Sequence, residues 1–269
     1  MKVLYEDNQI IVVIKEPNIP SQADKTKDED MLSMVKKYVK EKYNKPGEAY
    51  IGLVHRLDRP VGGIMVFART SKAASRLSEQ VRNKEFKKKY LAVVDGKFEN
   101  KKGTLEDYLF KDERNNISKV VPKEKKNSKL AILDYEVLNY DDKRDLSLVK
   151  INLRTGRHHQ IRVQMANAGH GLFGDQKYGT RGKGKQIRLW AYELEFFHPV
   201  KKEIMKFILK TRMPSRWTLR RPIRCFCISA AASLRFLPTA LTALITPSVK
   251  LTACRLSSSR RTVSADRPA

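Results

Sequence analysis

An α+β fold, with a mixed and largely antiparallel sheet flanked by helices, is what the chain predicts. Three observations lead there. Short apolar runs bounded by turn residues follow one another in series. Few segments carry apolar residues at helical spacing. Strands and helices do not alternate one for one, which argues against a parallel sheet of βαβ units.

The elements are read in order. Residues 9–15 (QIIVVIK) are a short apolar run ended by Pro17, hence a buried strand. Met31, Met34, Val35, Tyr38 and Val39 recur at helical spacing, so 30–43 is an amphipathic helix. Residues 44–50 form a loop around Pro46 and Gly47. A strand follows at 63–68 (GIMVFA). Ser71 caps a helix over 72–83 that turns Ala74, Leu77 and Val81 inward. KKKYLAVVDG is a basic entry into a strand that stops at Gly96. Residues 111–129 are polar, a loop or an exposed hairpin. Residues 131–138 and 146–153 read as two strands joined by a turn at 141–145, and in the second Val149, Ile151 and Leu153 alternate with Lys150 and Asn152. Thr155-Gly156 turns the chain into a helix with Ile161, Met165 and Ala168 on one face, ended by Gly169. A last strand at 191–197 ends at His198-Pro199.

The 269 residues hold 55 Lys plus Arg against 29 Asp plus Glu, a formal charge of +26. Such an excess favours an extended polyanion as partner. Charge occupies the first ten residues, where the apolar stretch of a signal peptide would lie. The cysteines, Cys225, Cys227 and Cys254, include none at zinc spacing from a histidine. A reduced, cytoplasmic setting and no metal site are the expectations. Composition changes after residue 217. The stretch 218–269 has eight Arg, one Lys and one acid, and holds all three Cys. Residues 1–217 are therefore expected to be one folded domain, and 218–269 a mostly disordered basic tail outside it. Arg235, Pro238 and Pro247 interrupt the apolar part of that tail, so no membrane span is expected.

Three segments carry chemistry. In HRLDRPVGG, residues 55–63, one carboxylate, Asp58, lies between Arg56 and Arg59. Nearby cations favour the ionised form of a carboxylate, which can attack an electrophilic carbon. Pro60, Gly62 and Gly63 let the backbone turn and a substrate approach. Alone, the segment also reads as a surface salt-bridge cluster. In KKKYLAVV, Tyr90 heads an apolar strand behind lysines that can hold phosphates while the ring stacks on a base. Alone, the segment reads more readily as an ordinary core tyrosine behind a basic edge. In RTGRHHQIRVQM, Arg157 and the backbone amides of a helix start would form a phosphate site. His158 and His159 are expected to point apart on that helix, which argues against zinc.

Together, in this order and spacing, these segments resemble the RluA/RluD-type pseudouridine synthases, which carry HRLDR, then K-x-Y-x-A-x-V, then T-G-R-x-H-Q-I-R, then G-D-x-x-Y-G. The last is GDQKYG at 174–179 here. The resemblance covers roughly residues 3 to 217. It implies a pseudouridine synthase fold, and an isomerase that converts uridine in ribosomal or transfer RNA to pseudouridine with no cofactor and no metal. It implies that Asp58 is the nucleophile, that Tyr90 stacks on the flipped base, that Arg162 pairs with Asp58 and keeps it ionised, and that Arg56 fills the gap left in the RNA stack. His55, Arg59, Lys88, Lys89, Arg157 and His159 are the further expected RNA contacts, and the protein is expected to be a monomer. The small N-terminal RNA-binding domain of many relatives is expected to be absent, since the first strand starts near Met1. Some positions depart from the family pattern: Val61-Gly62-Gly63 replaces Thr-Ser-Gly, Gly171-Leu172-Phe173 precedes the GD pair, and Lys15-Glu16-Pro17-Asn18 stands for Lys-Pro-x-Gly. They bear on substrate choice rather than on the reaction. The rival readings are an RNA-binding relative without catalysis, and a metal-dependent nuclease, for which the motifs supply no carboxylate cluster.

Overall fold

The computed structural model describes residues 1–24, 26–44 and 46–209. The expected boundary at 217, the tail 218–269 and the three cysteines lie outside the described residues. The strands are β1 (Lys2–Glu6), β2 (Ile10–Lys15), β3 (Gly52–Leu53), β4 (Gly62–Ala68), β5 (Lys87–Asp95), β6 (Lys102–Asp112), β7 (Ile117–Val121), β8 (Lys129–Asp141), β9 (Leu146–Leu153), β10 (Leu189–Phe197) and β11 (Ile204–Ile208). The helices are α1 (Met31–Lys42), α2 (Ser71–Arg82) and α3 (Gln160–Asn167).

All eleven strands join one sheet, ordered β1-β2-β4-β10-β5-β9-β8-β6-β7, with β11 on β10 and β3 on β4. Its pairs are antiparallel except β4 with β10, where Trp190 faces Gly62 and Ala191 faces Gly63. The predicted α+β class, mixed and largely antiparallel, is what the chain adopts.

Alternation along the strands sends neighbouring residues to opposite faces. Ile11, Val13, Met65 and Phe67 pack on one face with Met31, Val35 and Val39 of α1, and Tyr90, Ala92, Val149 and Ile151 continue that cluster. Ile10, Val12, Ile64 and Val66 go to the other face, under Ala73 and Leu77 of α2 and Phe196. The two helices start on clear signals. The Asp30 carboxylate accepts from the Leu32 and Ser33 amides at 2.9 and 3.1 Å. The Thr70 hydroxyl accepts from the Ala73 amide at 3.1 Å. Such caps are each worth about 1 kcal/mol.

Several expectations need correction. The cap of α2 is Thr70 rather than Ser71, because Thr70 still has extended backbone and Ser71 is already helical. The last described strand is β11, beyond the predicted end at 197; the chain folds back through 198–203 and lies along β10. β1 also escapes the apolar reading, since a short strand on the rim of a sheet needs no continuous hydrophobic run. The polar stretch at 111–129 is part of a hairpin, but its first strand begins earlier, at Lys102. Helix α3 is buried along Gln160–Met165, whereas Ala168, expected inside, is exposed. A helix enclosed on several sides has no single apolar stripe to read.

Candidate active site

The HRLDRPVGG stretch enters β4 beside β10, and that position explains its glycines. A Cβ at Gly62 would collide with the Trp190 ring, and one at Gly63 with the Ala191 carbonyl. Gly63 also has φ +137°, a conformation that side-chain-bearing residues avoid. The glycines make room for β10, not for substrate as expected. Lys15 holds the turn from beneath. It is fully buried, and its ammonium donates to the carbonyls of Arg59 at 2.9 Å and Val61 at 2.6 Å. Burial pulls its pKa down to about 8, while the nearby Asp58 charge acts in the opposite sense. Composition gave Lys15 no role, since a lysine at a strand end usually faces water.

Asp58 is 27% exposed at the mouth of this turn. Arg162 reaches it from α3, Nη1 to Oδ2, at 3.3 Å. The stronger partner of Arg162 is Asp175, from the GDQKYG turn: Nε meets Oδ2 at 2.7 Å and Nη2 meets Oδ1 at 2.6 Å. Asp175 is fully buried, and Arg162 is 4% exposed. Burial disfavours the Arg162 charge, but the bonds to Asp175 and the field of Asp58 outweigh it and raise its pKa. The Asp175 Oδ1 also accepts from the amides of Lys177 at 2.9 Å and Tyr178 at 3.3 Å. One carboxylate thus fixes both the turn and the arginine. The sequence quoted this motif but assigned Asp175 no part.

Tyr90 lies on the same face of β5 as Ala92, 5% exposed. Burial, then the charge of nearby Asp58, raises its pKa well above the ordinary tyrosine value. The sheet thereby brings Asp58, Tyr90 and Arg162 from three distant segments to one site.

The adjacent histidines do not point apart. His159 takes a left-handed backbone (φ +53°), α3 begins only after it, and the two rings stack at 3.7 Å between centroids. His159 Nε2 stands 3.8 Å from Asp58 Oδ2. Its Nδ1 meets the Tyr178 hydroxyl at 2.8 Å, and that oxygen accepts the Ser118 amide at 2.7 Å. Ser118 lies on β7, so the β6–β7 hairpin closes against the site.

The other expected RNA contacts divide. Arg56 is exposed beside Asp58 in the chain. Arg59 turns away, to Asp28 and to Asp24 at 3.6 Å, and so does not flank Asp58 in space. His55 is a core residue rather than an RNA contact: its Nε2 accepts the Val66 amide at 3.2 Å and its ring packs on Phe86. Burial, then Lys88, pulls its pKa down to about 3. Lys88 shares the Tyr90 face, and its ammonium lies 3.4 Å from where a Cβ on Gly156 would stand. Lys89 points to the reverse face and pairs with Glu193 at 2.8 Å, against expectation, because alternation splits the lysine run. Arg157 is exposed and donates to the Leu130 carbonyl at 2.9 Å. Two of the amides expected to bind phosphate with it are spent internally: Arg157 N–H goes to the Gln160 side chain at 3.0 Å, and Gln160 N–H to the Arg157 carbonyl at 3.2 Å.

Among the described residues no group of three or more His, Cys, Asp or Glu is placed to hold a metal ion. Among them, too, no helix is long and apolar enough to cross a membrane.

Comparison with known proteins shows what the chain as a whole is similar to. The model of the RNA pseudouridylate synthase family matches residues 9–167. The RNA pseudouridine synthase YhcT of Bacillus subtilis (strain 168) is 32% identical over 208 residues, 76% of this chain and 67% of that protein. Ribosomal large subunit pseudouridine synthase D of Borreliella burgdorferi is 30% identical over 224 residues, 81% of this chain and 66% of that protein. Among solved structures, human RNA pseudouridylate synthase domain containing 4 superposes with a TM-score of 0.66 at 20% identity, over 79% of this chain and 89% of that one, a likeness of fold.

Proposed function

The chain belongs to the RNA pseudouridylate synthase family, isomerases that convert uridine in RNA to pseudouridine, and on that premise we propose that Asp58, Tyr90 and Arg162 carry the reaction. The observation behind this reading is their convergence, with Arg162 held by buried Asp175 and still reaching Asp58 at 3.3 Å. Asp58 starts cleavage of the bond between ribose C1′ and uracil N1. The freed base turns and is reattached through C5, whose proton passes to solvent. Tyr90 stacks on the base in the pocket. Arg56, exposed next to the turn, fills the gap left in the RNA stack and offsets part of the unstacking cost of a few kcal/mol. Lys88 and Arg157 line the RNA side of the site, and Arg59 contacts the backbone only by exchanging its present acidic partners.

The substrate is ribosomal or transfer RNA, met in the cytoplasm by a single copy of the chain. The likeness to a large-subunit synthase makes ribosomal RNA the first pool to try. The test is tritium release from RNA labelled at C5 of uracil, with the wild-type chain beside Asp58→Asn. Release by the wild type alone is expected. Equal release by both would remove Asp58 from the chemistry. RNA bound by both with no release would favour a binding protein without catalysis.

A further inference from the structure

His159 was expected only as an RNA contact, but its surroundings are more specific than that. The Tyr178 oxygen accepts the Ser118 N–H at 2.7 Å. Its own proton then has one acceptor in reach among the described residues, His159 Nδ1 at 2.8 Å. A neutral imidazole that accepts at Nδ1 carries its proton on Nε2. Nε2 stands 3.8 Å from Asp58 Oδ2, just beyond hydrogen-bond distance. Arg162 addresses the same oxygen at 3.3 Å, while Asp58 Oδ1 has no hydrogen-bond partner among the described residues. The left-handed backbone at His159 is a strained conformation that turns its ring this way. Burial, then Arg162 and His158, pulls the His159 pKa far down, to about 2, so the ring stays uncharged. The groups that face it are Asp58, Arg162, His158, Tyr178, Lys111 and Lys177.

We propose that His159 is a positioning residue for Asp58: locked as the Nε2–H tautomer by Tyr178 and Ser118, it presents a neutral N–H dipole on the Oδ2 side that Arg162 bonds, and leaves Oδ1 as the oxygen that reacts. The inference rests on the reading of Asp58 given above. It also ties the β6–β7 hairpin to the reacting carboxylate, since Ser118 is the far end of the relay.

Two measurements on the full chain test it. Long-range proton–nitrogen correlation spectra of histidine-labelled protein, assigned with His159→Gln, are expected to show the Nε2–H tautomer with no titration between about pH 5 and 8. In Tyr178→Phe the lock is gone and a tautomer mixture is expected. A wild-type Nδ1–H tautomer, or protonation in that range, overturns the proposal. Single-turnover tritium release is expected to fall on the order of a hundredfold in His159→Ala with RNA affinity kept. Partial recovery is expected in His159→Gln, whose amide can still donate. A wild-type rate in His159→Ala, or equal losses of rate and affinity, also overturns it. If Asp58→Asn keeps the wild-type rate, the reading of Asp58 fails and this inference with it. If Asp58→Asn is dead and His159→Ala is unimpaired, this inference alone fails.

Discussion

The front and reverse faces of β5 each carry an ion pair, in opposite surroundings. On the front, Arg162 and Asp175 meet through two bonds, 4% and 0% exposed. On the reverse, Lys89 and Glu193 meet through one bond, 28% and 8% exposed, and Lys206 shares the same carboxylate at 3.2 Å. The reverse pair is one rung of a ladder with Lys87 and Glu195, and water can replace any member. The front pair has no such substitute. Its two charges leave water only because each completes the other, and the surplus donor of Arg162 is then free for Asp58. Charge on the reverse face ties β5, β10 and β11 together across their exposed side. On the front it fixes the geometry of one oxygen.

Breaking each pair gives the largest predicted contrast. Asp175→Ala strands a buried guanidinium, and such losses cost about 3–5 kcal/mol. Tritium release is expected to vanish with it. Glu193→Ala removes a buried carboxylate but leaves Lys89 and Lys206, 28% and 45% exposed, within reach of water, and such pairs are worth about 0–1 kcal/mol. Urea unfolding of the two variants checks both values. Similar losses would mean that the front pair is as replaceable as the reverse one.

Acid separates the buried histidines from the reverse-face carboxylates next. His55 and His159 are neutral in the fold, with pKa values pulled down to about 3 and about 2. In the unfolded chain both take up protons below about pH 6.5. The unfolded state then binds more protons, so stability falls as pH drops from there toward the folded values, by up to about 1.4 kcal/mol per pH unit for each histidine. The reverse-face Glu193 and Glu195 act lower. Lys89 and Lys206 hold Glu193 below its ordinary value in spite of its burial, and Lys87 chiefly does so for Glu195. Their contribution is present above the ordinary carboxylate range and is lost only as pH falls through their depressed values. Between about pH 6.5 and 5 the slope therefore belongs mainly to these two histidines, with His158, whose pKa burial also lowers, adding to it. His55→Gln should reduce it by about a third to a half, as read by urea unfolding at stepped pH. An unchanged slope would place the acid sensitivity elsewhere.

What the sequence could say follows from the range of its signals. Strand and helix cores are local, and β2, α1, β4, β5, β9 and β10 were readable from periodicity. Asp58, Tyr90 and Arg162 were named through linked motifs, because a motif preserves what a fold brings together. Gly62 and Gly63 were assigned to substrate, since nothing local reveals that β10 runs alongside them. His55 was taken for an RNA contact because a histidine beside two arginines reads as surface. His159 was misplaced because a left-handed residue breaks the helical projection on which its direction was argued. Lys15 and Asp175 went unassigned for one shared reason: their partners lie across the fold, on carbonyls and a guanidinium that no spacing rule connects.

The smallest predicted difference is the sharpest test of the two faces, because it concerns adjacent residues. Lys88 has no ion pair among the described residues, and burial lowers its pKa. A cation held at the site without a counter-charge is at an energetic disadvantage that an RNA phosphate would relieve. Lys89, one residue on, already has Glu193. Lys88→Ala should weaken RNA binding and reduce the slope of log affinity against log salt by about one unit. Lys89→Ala should leave that slope unchanged and lower stability only slightly, since Glu193 keeps Lys206. Binding titrations at several salt concentrations read both. If Lys89→Ala flattened the slope as much as Lys88→Ala, RNA would have to reach the reverse face, and the front would lose its claim to be the sole RNA-facing surface of this strand.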